Sequence, residues 1–128
     1  MAEQIIITAG SAQFQAQLND TPTARAIVAA LPIEARANRW GDEIYFSIPV
    51  RSGLESGARE VLEVGELAYW PPGQAFCIFF GPTPASEGDE PRAASRVNVI
   101  GRIEAEPDDL RSVPDGAGIS IRLALLHE

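Results

Sequence analysis

Tyr69-Trp70-Pro71-Pro72-Gly73-Gln74-Ala75-Phe76-Cys77-Ile78-Phe79-Phe80-Gly81-Pro82-Thr83-Pro84 holds one of the two Trp, one of the two Tyr and three of the five Phe in a chain of 128 residues. Four prolines and two glycines punctuate it. Pro71-Pro72 removes two backbone donors and fixes φ, which rules out a helix, whereas Ala75 to Phe80 is β-prone and the right length for one strand. The stretch therefore reads as a stiff aromatic loop, a strand apolar on both faces, and a second stiff loop. One face of such a strand belongs to a core. The other must meet a helix, a second core or a ligand.

Working outward, Gln4 to Ala9 and the alternating Gln13 to Leu18 form a hairpin across Gly10-Ser11. Asn19-Asp20-Thr21-Pro22 starts a helix, with Asp20 or Thr21 as cap and Pro22 in the first turn, and Ala24, Ile27, Val28 and Leu31 give it one apolar face ending at Pro32. Glu34 to Arg39 reads as a strand. After the Gly41-Asp42 turn signal, Ile44, Phe46 and Ile48 share one face of the next strand, and Tyr45 and Ser47 the other. Arg51 to Arg59 reads as an exposed loop, and Glu60 to Val64 and Leu67 to Trp70 as strand pieces bent at Gly65. Ala85 to Ser95 is a polar loop and the expected mobile segment. Arg96 to Ile103 is a strand with Val97, Val99, Gly101 and Ile103 on one side. Glu106-Pro107-Asp108-Asp109 starts a short helix whose acids complement its dipole. Gly118 to Leu126 is a last strand with Ile119, Ile121, Leu123 and Leu125 inward.

About eight short strands with two short helices, spaced as hairpins, predict a mainly β protein. Its economical form is a closed eight-stranded antiparallel β-barrel capped by helices, because closure removes unpaired edges. The length fits one domain over 1–128.

Composition narrows function. A net charge of −8 and a pI near 4.6 argue against nucleic acid and anionic membrane as partners. No stretch is apolar enough to span a bilayer, and the N-terminus lacks signal-peptide features, so a cytoplasmic location is expected. Cys77 alone cannot form an internal disulfide and reads as a small buried hydrophobe. No metal centre or cofactor is expected. The one His, His127, has no cluster around it, an oxygen-ligand Ca²⁺ site from Glu87, Asp89 and Glu90 lacks a fixed spacing, and Gly10, Gly73 and Gly81 open no phosphate-binding helix. A nucleophile with a histidine base is excluded for want of a placed histidine. Asp42 and Glu43 are adjacent, so in an extended segment they face opposite ways; they read as turn and strand-start charges and not as a catalytic pair.

The aromatics remain as the lead. Tyr45, Tyr69, Trp70, Phe76, Phe79 and Phe80, with Arg96 and Asn98 nearby, form the expected binding groove for an extended peptide or a small apolar ligand, with Trp70-Pro71-Pro72-Gly73 as its loop.

Trp40-Gly41-Asp42-Glu43-Ile44-Tyr45-Phe46, Gly65 to Gly73, Phe79 to Pro84 and Val97-Asn98-Val99-Ile100-Gly101 together resemble the small prokaryotic cyclophilin-like family, a group of unassigned function. The resemblance implies the cyclophilin fold over nearly the whole chain. Cyclophilins are peptidyl-prolyl isomerases, which act on an amide barrier of ~18–20 kcal/mol. In them an Arg within a Phe-His-Arg-Ile-Ile-Pro-like strand donates to the prolyl nitrogen, and a Gln-Gly-Gly motif helps hold the peptide. The similar strand here reads Tyr45-Phe46-Ser47-Ile48-Pro49, without that Arg, and no Gln-Gly-Gly follows. Phe79-Phe80 resembles the Phe pair of the cyclophilin pocket. The resemblance thus implies a binding barrel with little or no isomerase activity and no assigned catalytic residue. The alternatives are an isomerase using Arg51, Arg59 or Arg96, and a structural or regulatory interaction protein. Oligomeric state is not set by the sequence.

Overall fold

The computed structural model describes residues 3–124. Strands β1 (Glu3–Ala9) and β2 (Ala12–Leu18) form the expected hairpin. Helix α1 (Pro22–Ala30) begins where the sequence places it: the Thr21 hydroxyl accepts from the Ala24 N–H, and Pro22 occupies the first turn, where its missing donor costs nothing. Then come β3 (Ile33–Arg36), β4 (Asn38–Arg39), β5 (Glu43–Ser47), β6 (Arg59–Val61), β7 (Glu66–Trp70), a 3₁₀ turn over Pro71–Gly73, β8 (Ala75–Phe79), β9 (Arg92–Glu104), α2 (Pro107–Arg111) and β10 (Gly118–Leu123).

Every pairing among the described residues is antiparallel, and the ten-stranded sheet runs β3-β10-β1-β2-β9-β7-β8-β5-β4, with β6 paired separately to β9. This corrects the expected closed eight-stranded barrel in two ways. More strands form, and among the described residues no ladder joins the ends of the path. The ends are successive halves of one segment, Ile33 to Arg39, interrupted at Ala37. There the loop before β10 takes both backbone groups: Ala37 N–H donates to the Ala117 carbonyl at 2.8 Å, and Gly116 N–H donates to the Ala37 carbonyl at 2.7 Å. The segment therefore pairs with β10 before the break and with β5 after it.

The sheet curls around one core. Ile5 and Ile7 of β1, Ile44 and Phe46 of β5, Phe76 and Ile78 of β8 and Ile119 and Ile121 of β10 all bury there, closed at one side by Ala24 and Ile27 of α1. Phe46 and Phe76 stack with centroids 5.3 Å apart. Leu123 was expected inward and is 43% exposed, because β3 covers β10 only as far as Ile121. Leu125 and His127 lie outside the described residues.

The strand β9 is longer than expected and departs from strict alternation. A bulge against β7 shifts the register between Val99 and Gly101, so Val97 and Val99 face outward while Ile100 and Ile103 both face the core. Gly101 sits at this bulge where the β2 backbone crosses; a Cβ there would lie 2.0 Å from the Gln17 carbonyl oxygen.

Two expected loops are tied down by hydrogen bonds. Segment 50–58 is held to the sheet edge by buried polar groups. Tyr69 donates its hydroxyl to the Val50 carbonyl and accepts from Ser52 N–H. Asn98 accepts from Glu55 N–H at 2.8 Å and donates to the Gly53 carbonyl at 2.9 Å. Segment 83–91 closes around Glu90, whose carboxylate accepts from the backbone N–H groups of Glu87 and Gly88 and from Arg92. Those donors push the Glu90 carboxyl down to about 2. Glu90 is thus committed to the loop, and among the described residues no group of three or more His, Cys, Asp or Glu is arranged to hold a metal. Nor is any described helix long and apolar enough to cross a membrane.

Candidate functional site

The outer face of β8 answers the question posed by its two-sided apolar sequence. Phe76, Ile78 and Phe80 point into the main core, whereas Ala75, Cys77 and Phe79 point outward into a second, smaller cluster with Leu62, Ala68, Ala93 and Val97. The floor of this outer face is built of small residues. Cys77 pairs with Ala68 on one side and with Tyr45 on the other, and Ala75 pairs with Trp70. Small side chains flanked by Tyr45 and Trp70 leave a depression between them, and the Trp40 and Ala94 side chains extend its rim. The resulting pocket has a volume of about 250 Å³ and is lined by Trp40, Glu43, Tyr45 and Trp70 together with Ala93, Ala94 and Val97 of β9.

Each wall is fixed by its neighbours. Trp70 is the last residue of β7 and not a loop residue; its indole N–H donates to Ser95 Oγ at 2.7 Å. The 3₁₀ turn folds back beneath the same ring, where a Cβ on Gly73 would approach to 2.9 Å. Trp40 precedes the β4–β5 turn, in which Gly41 adopts φ +61°. Any Cβ at Gly41 would lie 2.9 Å from Pro84 Cδ and Thr83 Cα, so this turn requires glycine on both counts. Arg39 secures the turn from behind: it stacks 5.2 Å from the Phe80 centroid and donates to the carbonyls of Gly41, Arg111 and Val113.

Glu43 opens β5 and points away from Asp42, as alternation reads, but its burial carries no mark in the sequence: it shares the outer face of β5 with Tyr45 and is only 6% exposed. Its neighbour Asp42 does face the surface side, 3.0 Å from Arg111 Nε and 3.7 Å from Arg39. No Arg among the described residues forms an ion pair with Glu43. The Cys77 thiol of β8 lies on the same outer face, a weak donor that is directed to the Ala75 carbonyl at 3.7 Å. Burial pushes the Glu43 carboxyl up to about 7, partly offset by the thiol contact. Burial likewise pushes the Cys77 thiol up, reinforced by the Glu43 charge, so Cys77 is no ready thiolate.

The remaining expected site residues are dispersed. Phe79 lies beneath the pocket within the outer cluster, fully buried. Tyr69, Phe76 and Phe80 face the main core on the opposite side of the sheet. Asn98 is 2% exposed and spent on segment 50–58. Arg96 is exposed and borders a separate groove with Leu54, Pro71, Pro72 and Ser95. Of the other arginines considered, Arg59 forms a two-pronged pair with Glu66 at 2.9 and 2.7 Å, and Arg51 is exposed and does not line the pocket. Trp40 and Glu43 were missed as site residues. Period-two alternation did contain the signal, since it puts Glu43 on the face of Tyr45.

Residues 3–122 match the family described as cyclophilin-like. The chain belongs to that cyclophilin-like family. A hypothetical protein from Archaeoglobus fulgidus, known from its solution structure, is 44% identical to this cyclophilin-like chain over 95% of each, with a TM-score of 0.80. No curated protein matches. The family resemblance read from the four sequence motifs is thus confirmed over nearly the full length, while the relative's title assigns no activity.

Proposed function

We propose that this cyclophilin-like protein binds a small ligand, or one side chain of an extended peptide, in the pocket between Trp40, Tyr45 and Trp70, and that it has little or no prolyl isomerase activity. The observation that carries the reading is that both tryptophans of the chain, far apart in sequence, converge with Tyr45 on one depression floored by small residues. Half-exposed aromatic walls around an apolar floor are the usual make-up of a ligand site. The volume of about 250 Å³ lies just below the ~300–1,000 Å³ typical of drug-sized ligands, which favours a head group or a single side chain.

Isomerase chemistry is disfavoured by the same geometry. No arginine lines the pocket, and removing one preorganised donor from a reacting centre typically costs ~10²–10³ in rate. The acidic net charge of −8 continues to favour neither nucleic acid nor anionic membrane as partner.

Indole N–H resonances report on this pocket directly, because both belong to it. Titration with phenol and with a short Ala-Pro peptide is expected to shift the Trp40 and Trp70 signals saturably, and a Trp70→Ala variant is expected to lose that binding. Absence of any shift at high millimolar probe would overturn the ligand reading. Exchange NMR on the same peptide is expected to show unchanged cis-trans rates; acceleration at catalytic protein concentration would restore the isomerase alternative.

A further inference from the structure

We propose that the ligand of the aromatic pocket is a small organic cation, an alkylated ammonium group, with Glu43 as its counter-charge and Trp40, Tyr45 and Trp70 as its cage. This inference rests on the pocket being a ligand site and adds the charge and chemical class of what enters it.

Three features converge. Glu43 is only 6% exposed, lines the pocket and forms no ion pair with a cation of the described residues. An apolar ligand would seal that group away from water without giving it a partner. An anion would meet a carboxylate set among three electron-rich aromatic side chains. A cation satisfies the carboxylate and the ring faces at once, and desolvation strengthens both attractions.

The surrounding side chains select the type of cation. Glu43 is the one charged group among the lining residues, and the β9 wall consists of Ala93, Ala94 and Val97. A guanidinium carries five N–H donors that would need acceptors this wall does not offer. An ammonium whose N–H groups are replaced by methyl groups needs few acceptors and presents methyl surface to the rings. Nor do the described residues fill the site with a cation of their own. Arg39, the nearest in sequence, is committed to Phe80, Asp42 and three backbone carbonyls, and Arg111 is held by Asp42 and Asp108.

Proton linkage supports the same reading. The groups facing Glu43 are the Cys77 thiol of β8 and the aromatic and aliphatic side chains of β5, β7 and β9; Asp42, beside it in sequence, is neutralised by Arg39 and Arg111. Since burial places the Glu43 carboxyl near neutrality, a cation binds the ionised form and releases a proton on the acid side of that value, so affinity rises with pH and levels off above it.

The test titrates the intact protein with choline and with its neutral carbon isostere dimethylbutanol, reading the two indole N–H signals at acid and at alkaline pH. Choline is expected to bind at least ~10-fold more tightly than the alcohol at about pH 8.5, and to lose that margin at about pH 5.5. In Glu43→Gln the preference should fall to the small margin the rings alone supply and should no longer change with pH. Equal binding of the two probes by the unmodified protein would overturn the cation inference while leaving the apolar pocket standing. No shift of either indole by either probe would overturn both. A Glu43→Gln protein that keeps the choline preference would remove Glu43 from the role assigned to it.

Discussion

Replacing Glu43 by Gln should flatten the pH dependence of stability and make the protein more stable at alkaline pH. In the folded state burial raises this carboxyl from the ordinary 4.5 to about 7. Between those values the folded chain holds a proton that the unfolded chain has released. Unfolding therefore becomes easier as pH rises, and the protonated group's stabilisation, complete below about 4.5, is gone once pH has passed through about 7. A shift of that size corresponds to about 3 kcal/mol across the window. Glutamine has nearly the same shape, keeps a hydrogen-bonding head and does not titrate. Its advantage over the unmodified protein is expected to grow from well under 1 kcal/mol near pH 4 to about 3 kcal/mol at pH 9. Urea unfolding of both proteins, followed by tryptophan fluorescence and far-ultraviolet circular dichroism at constant ionic strength, gives the difference directly, and groups common to both proteins cancel. Carboxylates held low by donors, such as Glu66 opposed by burial but paired with Arg59 and the Glu63 N–H, act in a separate, more acidic window. If the two stability profiles run parallel within ~0.5 kcal/mol from pH 4 to 9, Glu43 is not the buried acid described and the reasoning fails.

Other outcomes follow from the packing. Asn98→Ala strips partners from Glu55 N–H and the Gly53 carbonyl; a loss of about 2–3 kcal/mol is expected, with segment 50–58 gaining fast amide exchange while β1 and β2 stay protected at the new global limit. Gly101→Ala forces a Cβ to 2.0 Å from the Gln17 carbonyl, and since backbone must move, a cost of ~2 kcal/mol or more is expected in thermal or urea unfolding. Ser95→Ala removes the acceptor of the Trp70 indole N–H; about 1 kcal/mol of stability should go, and the Trp70 indole proton should exchange faster, a readout that an unchanged rate would contradict.

Much of the fold was legible because it is written in local terms. The β1–β2 hairpin follows from alternation around Gly10-Ser11, and α1 from the Thr21 cap, Pro22 and the spacing of Ala24 and Ile27. In β5 the inward set Ile44 and Phe46 is a direct reading of period two. The bulge in β9 was not legible, since it inserts a residue without any mark in an alternating Val97-Val99 pattern, and neither was the strand's extension back to Arg92, which depends on pairing with β6. The open seam at Ala37 was equally hidden: it depends on Gly116 and Ala117, some eighty residues away, capturing a backbone that the sequence shows only as extended.

Sequence alone was enough to make Ala75 to Phe80 a strand with two apolar faces, to set Tyr45 on a strand and Trp70 at the entry to the Pro71-Pro72 turn, and to match four ordered motifs to the cyclophilin-like family. Periodicity and proline chemistry act within a few residues and need no partner. What covers each face was set by contacts between residues distant in the chain. Pairing in the sheet set small Ala68, Ala75 and Cys77 beside Tyr45 and Trp70, turned Tyr69 and Asn98 inward as anchors for segment 50–58, and brought Ala93 and Val97 of β9 over Glu43. A carboxylate's burial is a property of residues distant in the chain. For that reason Glu43, unremarkable beside Asp42 in the sequence, becomes the group that gives the pocket its charge.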